Sequence, residues 1–462
     1  MMSLLHTTLL VLPLGLPLGL PLGVPLGVLG SHGLAVSQST SAPTSDSPVV
    51  ATSASGARPA GTPTRPRDPS AGTREDAPHR GSATAAESRP APIDWRAAEE
   101  NLLSNQLQLT FPDRYIKAGE SYFSPDGTKV VFQAVEVAPG ETVPEDFYAM
   151  FVADVVRDAN GRITGLSNDR RLSPKGSANT CGWFHPTDPN LVIFGSTVSS
   201  PTEATPPGFQ RGTGRYRWMF PPEMRIVQVD LRTADASPES LKTIVAHVGA
   251  YMAECSLSPD GRFLLYCSLE SNQGDLFVHD LIKGVTTPLV TAPGYDGGPF
   301  FSPDGRRICW RSDRNGDNLL QLFVADLRFA PDADGGILGI AREHQLTSNP
   351  HVNWCPFWHP DGRSLVYGTS EVSHRNYEVF LLDADPGSIA PNTPASPGPM
   401  RYGTGARRIT HADGADVLPA FTSDGRTMMW TSQRGEGGTS QLWVADVEWT
   451  RPAPPRAESA PR

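Results

Sequence analysis

Short apolar runs recur along residues 95–449 and are separated by polar turns. Six of these runs end in an aromatic or apolar pair that is followed by a turn rich in Pro, Asp and Gly. In such a turn Pro presets φ, and Gly takes the left-handed position that closes a hairpin. The six turns are Ser124–Gly127, His185–Asn190, Ser258–Gly261, Ser302–Gly305, His359–Gly362 and Thr422–Gly425.

Each turn is followed by two strand-like runs and then by a short element of the type x-Leu-Thr. Four short strands repeated along the chain are typical of β-propeller blades. The sixth repeat lacks its fourth strand, and the missing element occurs before the first repeat as Gln108-Leu109-Thr110. The sequence therefore predicts an all-β, six-bladed β-propeller of four-stranded antiparallel blades. We expect Gln108–Thr110 to pair with Leu442–Asp446 and close the ring, which removes two exposed sheet edges.

The residues before the repeats have a different composition. Residues 4–30 are apolar but are interrupted by four prolines, which a membrane-spanning helix does not tolerate together. We interpret residues 1–36 as a signal peptide, although basic residues are missing from its start, and a low-complexity extension is the alternative. Residues 37–92, rich in Ser, Pro and Ala, are interpreted as a disordered linker, and residues 450–462 as a disordered tail. Export to the periplasm or the exterior follows from this interpretation.

The formal net charge of −10 falls on the repeat region, because residues 1–94 carry equal numbers of acidic and basic side chains. An acidic surface disfavours nucleic acid and anionic membranes as partners. We expect a monomer that binds a protein or peptide, with no nucleic acid and no stable membrane insertion. The odd number of cysteines, five, does not indicate a disulfide framework, and we expect buried thiols.

The first strand of each propeller blade lines the central channel, so aligning the six turns gives two rings of candidate residues. From these rings we select binding candidates for a cationic peptide or for calcium, whose ligands are oxygen atoms. The alternative is a solvated mouth whose Asn and Asp side chains cap tight loops. The mouth ring is Ala118, Asn179, Met252, Asp296, Asn353 and Asp416, and the inner ring is Glu120, Cys181, Glu254, Gly298, Cys355 and Leu418. The selected candidates are Glu120, Asn179, Glu254, Asp296, Asn353 and Asp416.

A long insertion, residues 199–223, separates the second and third strands of the second repeat and opens on the mouth side. Arginines alternate with aromatic residues in it, as in many binding loops. We expect it to lie over the channel mouth, and the alternative is that its aromatic residues pack on their own blade. The candidates are Arg215, Tyr216, Arg217, Trp218 and Phe220.

The repeats resemble those of the TolB-type propellers. Three segments carry the resemblance, which covers about residues 95–449: Ala118–Gly127, Tyr295–Gly305 and Val352–Gly362. The resemblance implies a six-bladed fold. TolB proteins also have an α/β domain before the propeller, and residues 1–92 show no counterpart, so the resemblance implies the fold rather than membership of an envelope complex.

The sequence contains no Gly-x-Ser-x-Gly, P-loop, dinucleotide-binding or His-Glu-x-x-His motif. We therefore predict a non-catalytic module that binds a protein or peptide, with no cofactor and no assigned metal. One alternative is a carbohydrate-active lyase or hydrolase that uses Glu120, Glu254 or Asp296 as acid and base. The other is a scaffold that contacts partners through its blade rims.

Overall fold

The structure, a computed structural model, describes residues 93–137, 140, 143–202, 208–210, 215–217, 220–317, 319–331, 334–384 and 406–449. Within these residues, six four-stranded antiparallel sheets form a ring. The predicted six-bladed β-propeller is confirmed. The predicted signal peptide, linker and tail lie outside the described residues.

In each blade the strands are numbered first to fourth from the channel outwards. They are Tyr115–Phe123, Lys129–Glu136, Ala149–Arg157 and Ile163–Arg171 in blade one; Asn179–Phe184, Leu191–Ser196, Arg225–Asp230 and Leu241–Val245 in blade two; and Met252–Leu257, Phe263–Ser268, Asp275–Asp280 and Val285–Val290 in blade three. They are Asp296–Phe301, Arg307–Ser312, Gln321–Phe329 and Ile337–Gln345 in blade four; Asn353–Trp358, Ser364–Ser373, Asn376–Asp383 and Arg407–Arg408 in blade five; and Asp416–Phe421, Thr427–Ser432, Gln441–Val447 and Leu103–Gln108 in blade six.

The Ser-Pro-Asp-Gly turns have the predicted chemistry. In blade one, Gly127 has a φ of 66° and its amide donates to the Ser124 carbonyl. The Ser124 hydroxyl donates to Asp126 Oδ1 at 2.6 Å and accepts from the Lys129 amide at 2.9 Å. The turn is therefore held by side chains as well as by the backbone, which explains why the same residues recur in successive blades.

The x-Leu-Thr elements mark the ends of fourth strands rather than whole strands. In blade six, the Leu109 amide donates to the Leu442 carbonyl, and the Thr110 hydroxyl accepts from the Leu442 amide at 2.9 Å. Thr410 of blade five does the same for the Val379 amide at 2.8 Å. The apolar residue fills the core and the hydroxyl binds a third-strand amide, so the pattern predicts where the strand ends but not its length.

The ring is closed, as predicted, by antiparallel pairing of an amino-terminal strand with the third strand of blade six. Leu103 pairs with Val447 and Gln108 pairs with Trp443, so the closing strand begins five residues before the predicted Gln108. A single-turn helix, Trp95–Glu99, precedes this strand. Glu99 is fully buried and binds Arg434 of blade six, with Nη1 and Oε2 2.9 Å apart. The ion pair between Glu99 and Arg434 therefore fixes the segment that precedes the closing strand to blade six.

The core lies between adjacent blades, in clusters of buried aliphatic and aromatic side chains such as Trp310 and Trp430. All five cysteines are free and buried, which confirms the expectation of buried thiols. Where the structure describes the chain, no helix combines the length and apolar character needed to span a membrane.

Candidate functional site

A β-bulge at the same position interrupts the first strand of every blade. In blades two to six, two residues of the first strand lie opposite one residue of the second strand, and in blade one Glu120 lies opposite none, so each first strand has one extra residue. A bulge re-aims the side chain that it carries. The residue at each bulge has a positive φ of 43–58°, and these residues are the inner ring: Glu120, Cys181, Glu254, Gly298, Cys355 and Leu418. Five of the six are not glycine, so the backbone strain at this level recurs around the channel.

Glu254 is the most heavily bonded member of the inner ring. Its carboxylate accepts hydrogen bonds from the Tyr295 hydroxyl, from the Gly298 amide and from Nη2 of Arg311, the last at 3.1 Å. Arg311 Nη2 also lies 3.1 Å from the Tyr295 hydroxyl oxygen. Although burial opposes its charge, Glu254 and Tyr295 hold the pKa of Arg311 above its ordinary value. Glu254 is thus a neutralised, structurally bound carboxylate.

Glu120 faces the same channel with fewer partners, and none of its hydrogen-bond donors in the described residues is charged. Its carboxylate accepts from the Thr180 hydroxyl at 3.3 Å and from the Cys181 thiol. Its side chain is partly exposed. Burial raises the pKa of the Glu120 carboxyl, and the charge of Glu254 acts in the same direction. Glu120 is therefore an acid with spare hydrogen-bonding capacity in a poorly solvated position.

Four aromatic rings form a floor below the inner ring. They come from the first strands of blades one, two, four and five, and each follows the inner-ring residue of its strand by two positions. Every pair of these rings is in contact, with centroids 5.0–6.2 Å apart. Burial raises the pKa of one member, Tyr122, well above its ordinary value, and the Glu120 charge above it adds to the shift. The floor comprises Tyr122, Trp183, Phe300 and Phe357. The channel is thus a cup whose wall carries acids and whose base is aromatic.

The polar residues of the mouth ring lie inside the blades rather than on an open mouth. Asp296 accepts from the Trp310 indole at 2.9 Å, and Asp416 accepts from the Trp430 indole at 3.0 Å. Asn179 donates to backbone carbonyls of the adjoining loops. These side chains satisfy loop and indole groups that the tight connections leave unpaired, and their role in ligand binding stays a prediction. Four residues are at most 4% exposed: Asn179, Asp296, Asn353 and Asp416.

The insertion of blade two contacts two other loops through Phe220. The Phe220 ring lies 5.0 Å from that of Tyr251 and 5.8 Å from that of Tyr295, which belong to the loops that lead into blades three and four. Phe220 therefore contacts residues that lead into two other blades, and its position over the channel mouth stays a prediction. Arg215, Tyr216 and Arg217 form a short strand paired with Gly208–Gln210. Trp218 lies outside the described residues.

Sequence reasoning missed Arg311, Tyr295 and the aromatic floor as a unit. Arg311 lies on a second strand, which does not line the channel, and its guanidinium occupies the space left by Gly298, whereas Tyr295 and Glu254 occupy the space left by Gly297. The double glycine opposite an arginine was the available signal. Among the described residues, no group of three or more His, Cys, Asp or Glu side chains is placed to hold a metal ion.

Comparison with known proteins gives short or distant matches. No family model matches the chain. It is 28% identical over 138 residues to an uncharacterised protein of Agrobacterium fabrum, covering 29% of this chain and 43% of that one. It is 25% identical over 183 residues to the Tol-Pal system protein TolB of Wolinella succinogenes, covering 39% and 36%. A third match, 39% identical over 84 residues, is to dipeptidyl-peptidase 5 of Porphyromonas gingivalis, covering 16% and 12%. The chain thus spans less than half of the length of these relatives.

Solved structures with a similar fold include TolB of Acinetobacter baumannii, with a TM-score of 0.41, 15% identity and coverage of 71% of this chain and 78% of that one. Another is oligogalacturonate lyase of Vibrio parahaemolyticus, with a TM-score of 0.40, 13% identity and coverage of 75% and 95%. The strand topology by itself establishes the fold, and the TolB relative confirms the resemblance predicted from the repeats. The chain is a six-bladed β-propeller that resembles the propellers of TolB-type proteins.

Proposed function

We propose that this propeller is a non-catalytic module that binds a protein or peptide segment, which presents a cationic group to Glu120 inside the channel. The observation that carries the proposal is the state of Glu120: a carboxylate bonded by a hydroxyl and a thiol, without an ion pair of its own, above an aromatic floor. A poorly solvated charge without an ionic partner is costly, and such groups occur mainly at functional sites. The faces of aromatic rings also attract cations.

The contacts of Phe220 support a segment rather than a free ion as the ligand. Phe220, Tyr251 and Tyr295 line the approach to the inner ring, and Tyr295 also binds Glu254. Aromatic side chains at the rim of a pocket are typical anchors of protein recognition. A peptide that lies against these rings has its cationic group within the cup.

The periplasm or the exterior of the cell is the proposed location. The apolar, proline-interrupted segment at residues 4–30 supports export. The similarity to TolB of the Tol-Pal system is consistent with the same compartment. Protein partners are also proposed rather than inferred from this relative, because the chain covers only 36% of the TolB relative's length.

A peptide display selection tests the proposal. The purified protein is panned against a random peptide library, in parallel with Glu120→Gln and with Glu239→Gln, an exposed acid in the short 3-10 helix Pro238–Ser240 of blade two. Peptides with Lys, Arg or a free amino terminus should be enriched by the wild type and by Glu239→Gln. Their enrichment should fall about tenfold or more with Glu120→Gln, because a partner of a desolvated charge pair is lost. Equal enrichment by all three proteins would overturn the proposal.

A second candidate is a carbohydrate-active lyase or hydrolase, favoured by the presence of two carboxylates, Glu120 and Glu254, in one ring, one with a raised pKa. Such a pair suits acid–base chemistry. Against it, Glu254 already accepts three hydrogen bonds, and Asp296 is held by Trp310 and Arg314. Incubation with oligogalacturonate tests this candidate. Ultraviolet absorbance detects the unsaturated products of a lyase, and an assay of new reducing ends detects hydrolysis. Product formed by the wild type and lost in Glu120→Gln would establish the enzyme.

A further inference from the structure

In blade four, a side chain of the second strand, Arg311, takes the place that a side chain of the inner ring occupies in the other blades. Gly298 occupies the bulge position of blade four, and a Cβ there would lie 2.0 Å from Arg311 Nη1. At Gly297 a Cβ would lie 2.6 Å from Glu254 Oε2. Arg311 therefore fills the place that blade four leaves empty. Residues at the same register in the other blades are short or neutral: Gln133, Gly195, Cys267, Gly368 and Thr431.

The presence of Arg311 beside Gly298 determines the charge of the inner ring. With both carboxyl groups ionised, Glu120 and Glu254 contribute two negative charges and Arg311 one positive charge, so the ring has a net charge of −1. Arg311 forms an ion pair with Glu254, whereas its charge acts on Glu120 without a direct ion pair. Arg311 is 8% exposed, and its Nε has no hydrogen-bond partner among the described residues. A second buried polar group in the cup thus has unused hydrogen-bonding capacity.

We infer that Arg311 sets the charge selectivity of the channel, so that the ring accepts one positive charge, as in a primary ammonium or a guanidinium, and rejects a divalent cation. The inference rests on the proposed function and specifies its ligand. In a poorly solvated site the favoured ligand is the one that brings the net charge to zero. Without Arg311 the same ring carries −2 and resembles the oxygen-rich sites that hold divalent ions.

A series of variants with different ring charges tests the inference. The net charge is 0 in Glu120→Gln and in Glu254→Gln, −2 in Arg311→Met, and −1 again in the double variant Arg311→Met/Glu254→Gln. The probes are N-acetyl-lysine amide, with one positive charge, and calcium chloride. Binding is measured by isothermal titration calorimetry at low ionic strength, and circular dichroism with thermal melting verifies folding.

The wild type should bind the lysine derivative at least tenfold more tightly than calcium. Arg311→Met should reverse this preference, both neutral variants should lose about tenfold or more in affinity for the lysine derivative, and the double variant should regain it. Retention of the wild-type preference by Arg311→Met, or failure of the folded double variant to recover, would overturn the inference. If Arg311→Met does not fold, the comparison of Glu254→Gln with the double variant carries the test.

The outcomes separate this inference from the proposed function. Enrichment of cationic peptides in the display selection together with an unchanged preference in Arg311→Met leaves the function standing and removes the role of Arg311. The predicted selectivity for the lysine derivative without any peptide enrichment leaves a cation site but removes the peptide-binding module. Absence of binding of either probe by the wild type overturns the inference itself.

Discussion

Two clusters of buried carboxylates and arginines lie in this propeller, and they differ in how completely they are bonded. The seam cluster comprises Glu99, Glu378, Arg408, Asp416 and Arg434, where the amino-terminal helix meets blades five and six. Arg434 binds Glu99 and Asp416, and Arg408 binds Glu378 at 2.6 Å. Burial, and next the Asp416 charge, raise the pKa of Glu378 to about 9. With Glu378 protonated at neutral pH, the seam cluster is neutral.

The inner ring has one acid more than its arginine can neutralise. Arg311 forms an ion pair with Glu254, whereas the donors to Glu120 among the described residues are neutral, the Thr180 hydroxyl and the Cys181 thiol. Glu120 also has a φ of 43°, a backbone conformation that costs energy for a residue with a side chain. The comparison teaches that burial of charge alone does not mark a site. The channel differs from the seam because one of its poorly solvated carboxylates has no ion pair of its own.

The largest effect should follow removal of the seam itself. Deleting residues 100–112 removes the strand Leu103–Gln108, so the third strand of blade six, Gln441–Val447, becomes an exposed edge and the ring stays open. We expect loss of the cooperative thermal transition, measured by circular dichroism. Deleting residues 37–90, which lie outside the described residues, is the matched control and should leave the midpoint unchanged. A melting midpoint within a few degrees of the wild type for the 100–112 deletion would contradict the closure.

Removing one arginine from each cluster should give unequal losses of stability. Arg434→Met leaves Glu99 and Asp416 buried without their shared partner, which costs about 3–5 kcal/mol. Arg311→Met should cost less, about 2 kcal/mol, because Glu254 keeps the Tyr295 hydroxyl and the Gly298 amide. Urea denaturation at neutral pH measures both free energies of unfolding. Equal losses would mean that the two clusters are equally dependent on their arginines.

The fold was predictable because each blade contains the same turn, which is stabilised by residues close together in the sequence. Ser124, Asp126 and Gly127 make a turn whose bonds lie within six residues, so each copy is recognisable without knowledge of its neighbours. Closure was predictable because Thr110 stands where a fourth-strand end was missing. The length of that strand was not predictable, since Leu103 and Ser104 pair with blade six through backbone groups that any residue offers.

The candidate site was predictable only in part, because its chemistry comes from several blades. The alignment of turns gave Glu120 and Glu254 as channel residues. It also gave Asp296 and Asp416, whose side chains turn to Trp310 and Trp430 within their own blades. A sequence shows the position of a residue along its strand, but the hydrogen-bond partner that turns the side chain inward or outward lies on another strand.

The smallest expected effect is that of Glu120→Gln on the free energy of unfolding. It tests the comparison most directly, because this variant should be more stable than the wild type, whereas the other variants should be less stable. Burial raises the folded-state pKa of Glu120 above its ordinary value of 4.5. The stability that this shift contributes is present below pH 4.5 and is lost as pH rises through the folded pKa. Where Glu120 is ionised, the wild type therefore holds an unfavourable charge that Glu120→Gln lacks. The variant should be more stable than the wild type at pH 8, with a smaller gain at pH 5.

Urea denaturation of the wild type and Glu120→Gln across this pH range measures the difference, in which the contributions of Glu99 and Glu378 cancel. Glu99→Gln at the seam is the contrast, because it removes the carboxylate that binds both Arg434 Nη1 and Nη2, and it should destabilise the protein at pH 8 even though burial raises the pKa of Glu99 as well. A gain in stability on removing one buried acid and a loss on removing the other would show that Glu120 is kept for binding, at the expense of the fold. Destabilisation by Glu120→Gln at pH 8 would instead show that Glu120 is a structural acid like Glu99, and the channel would lose its distinction from the seam.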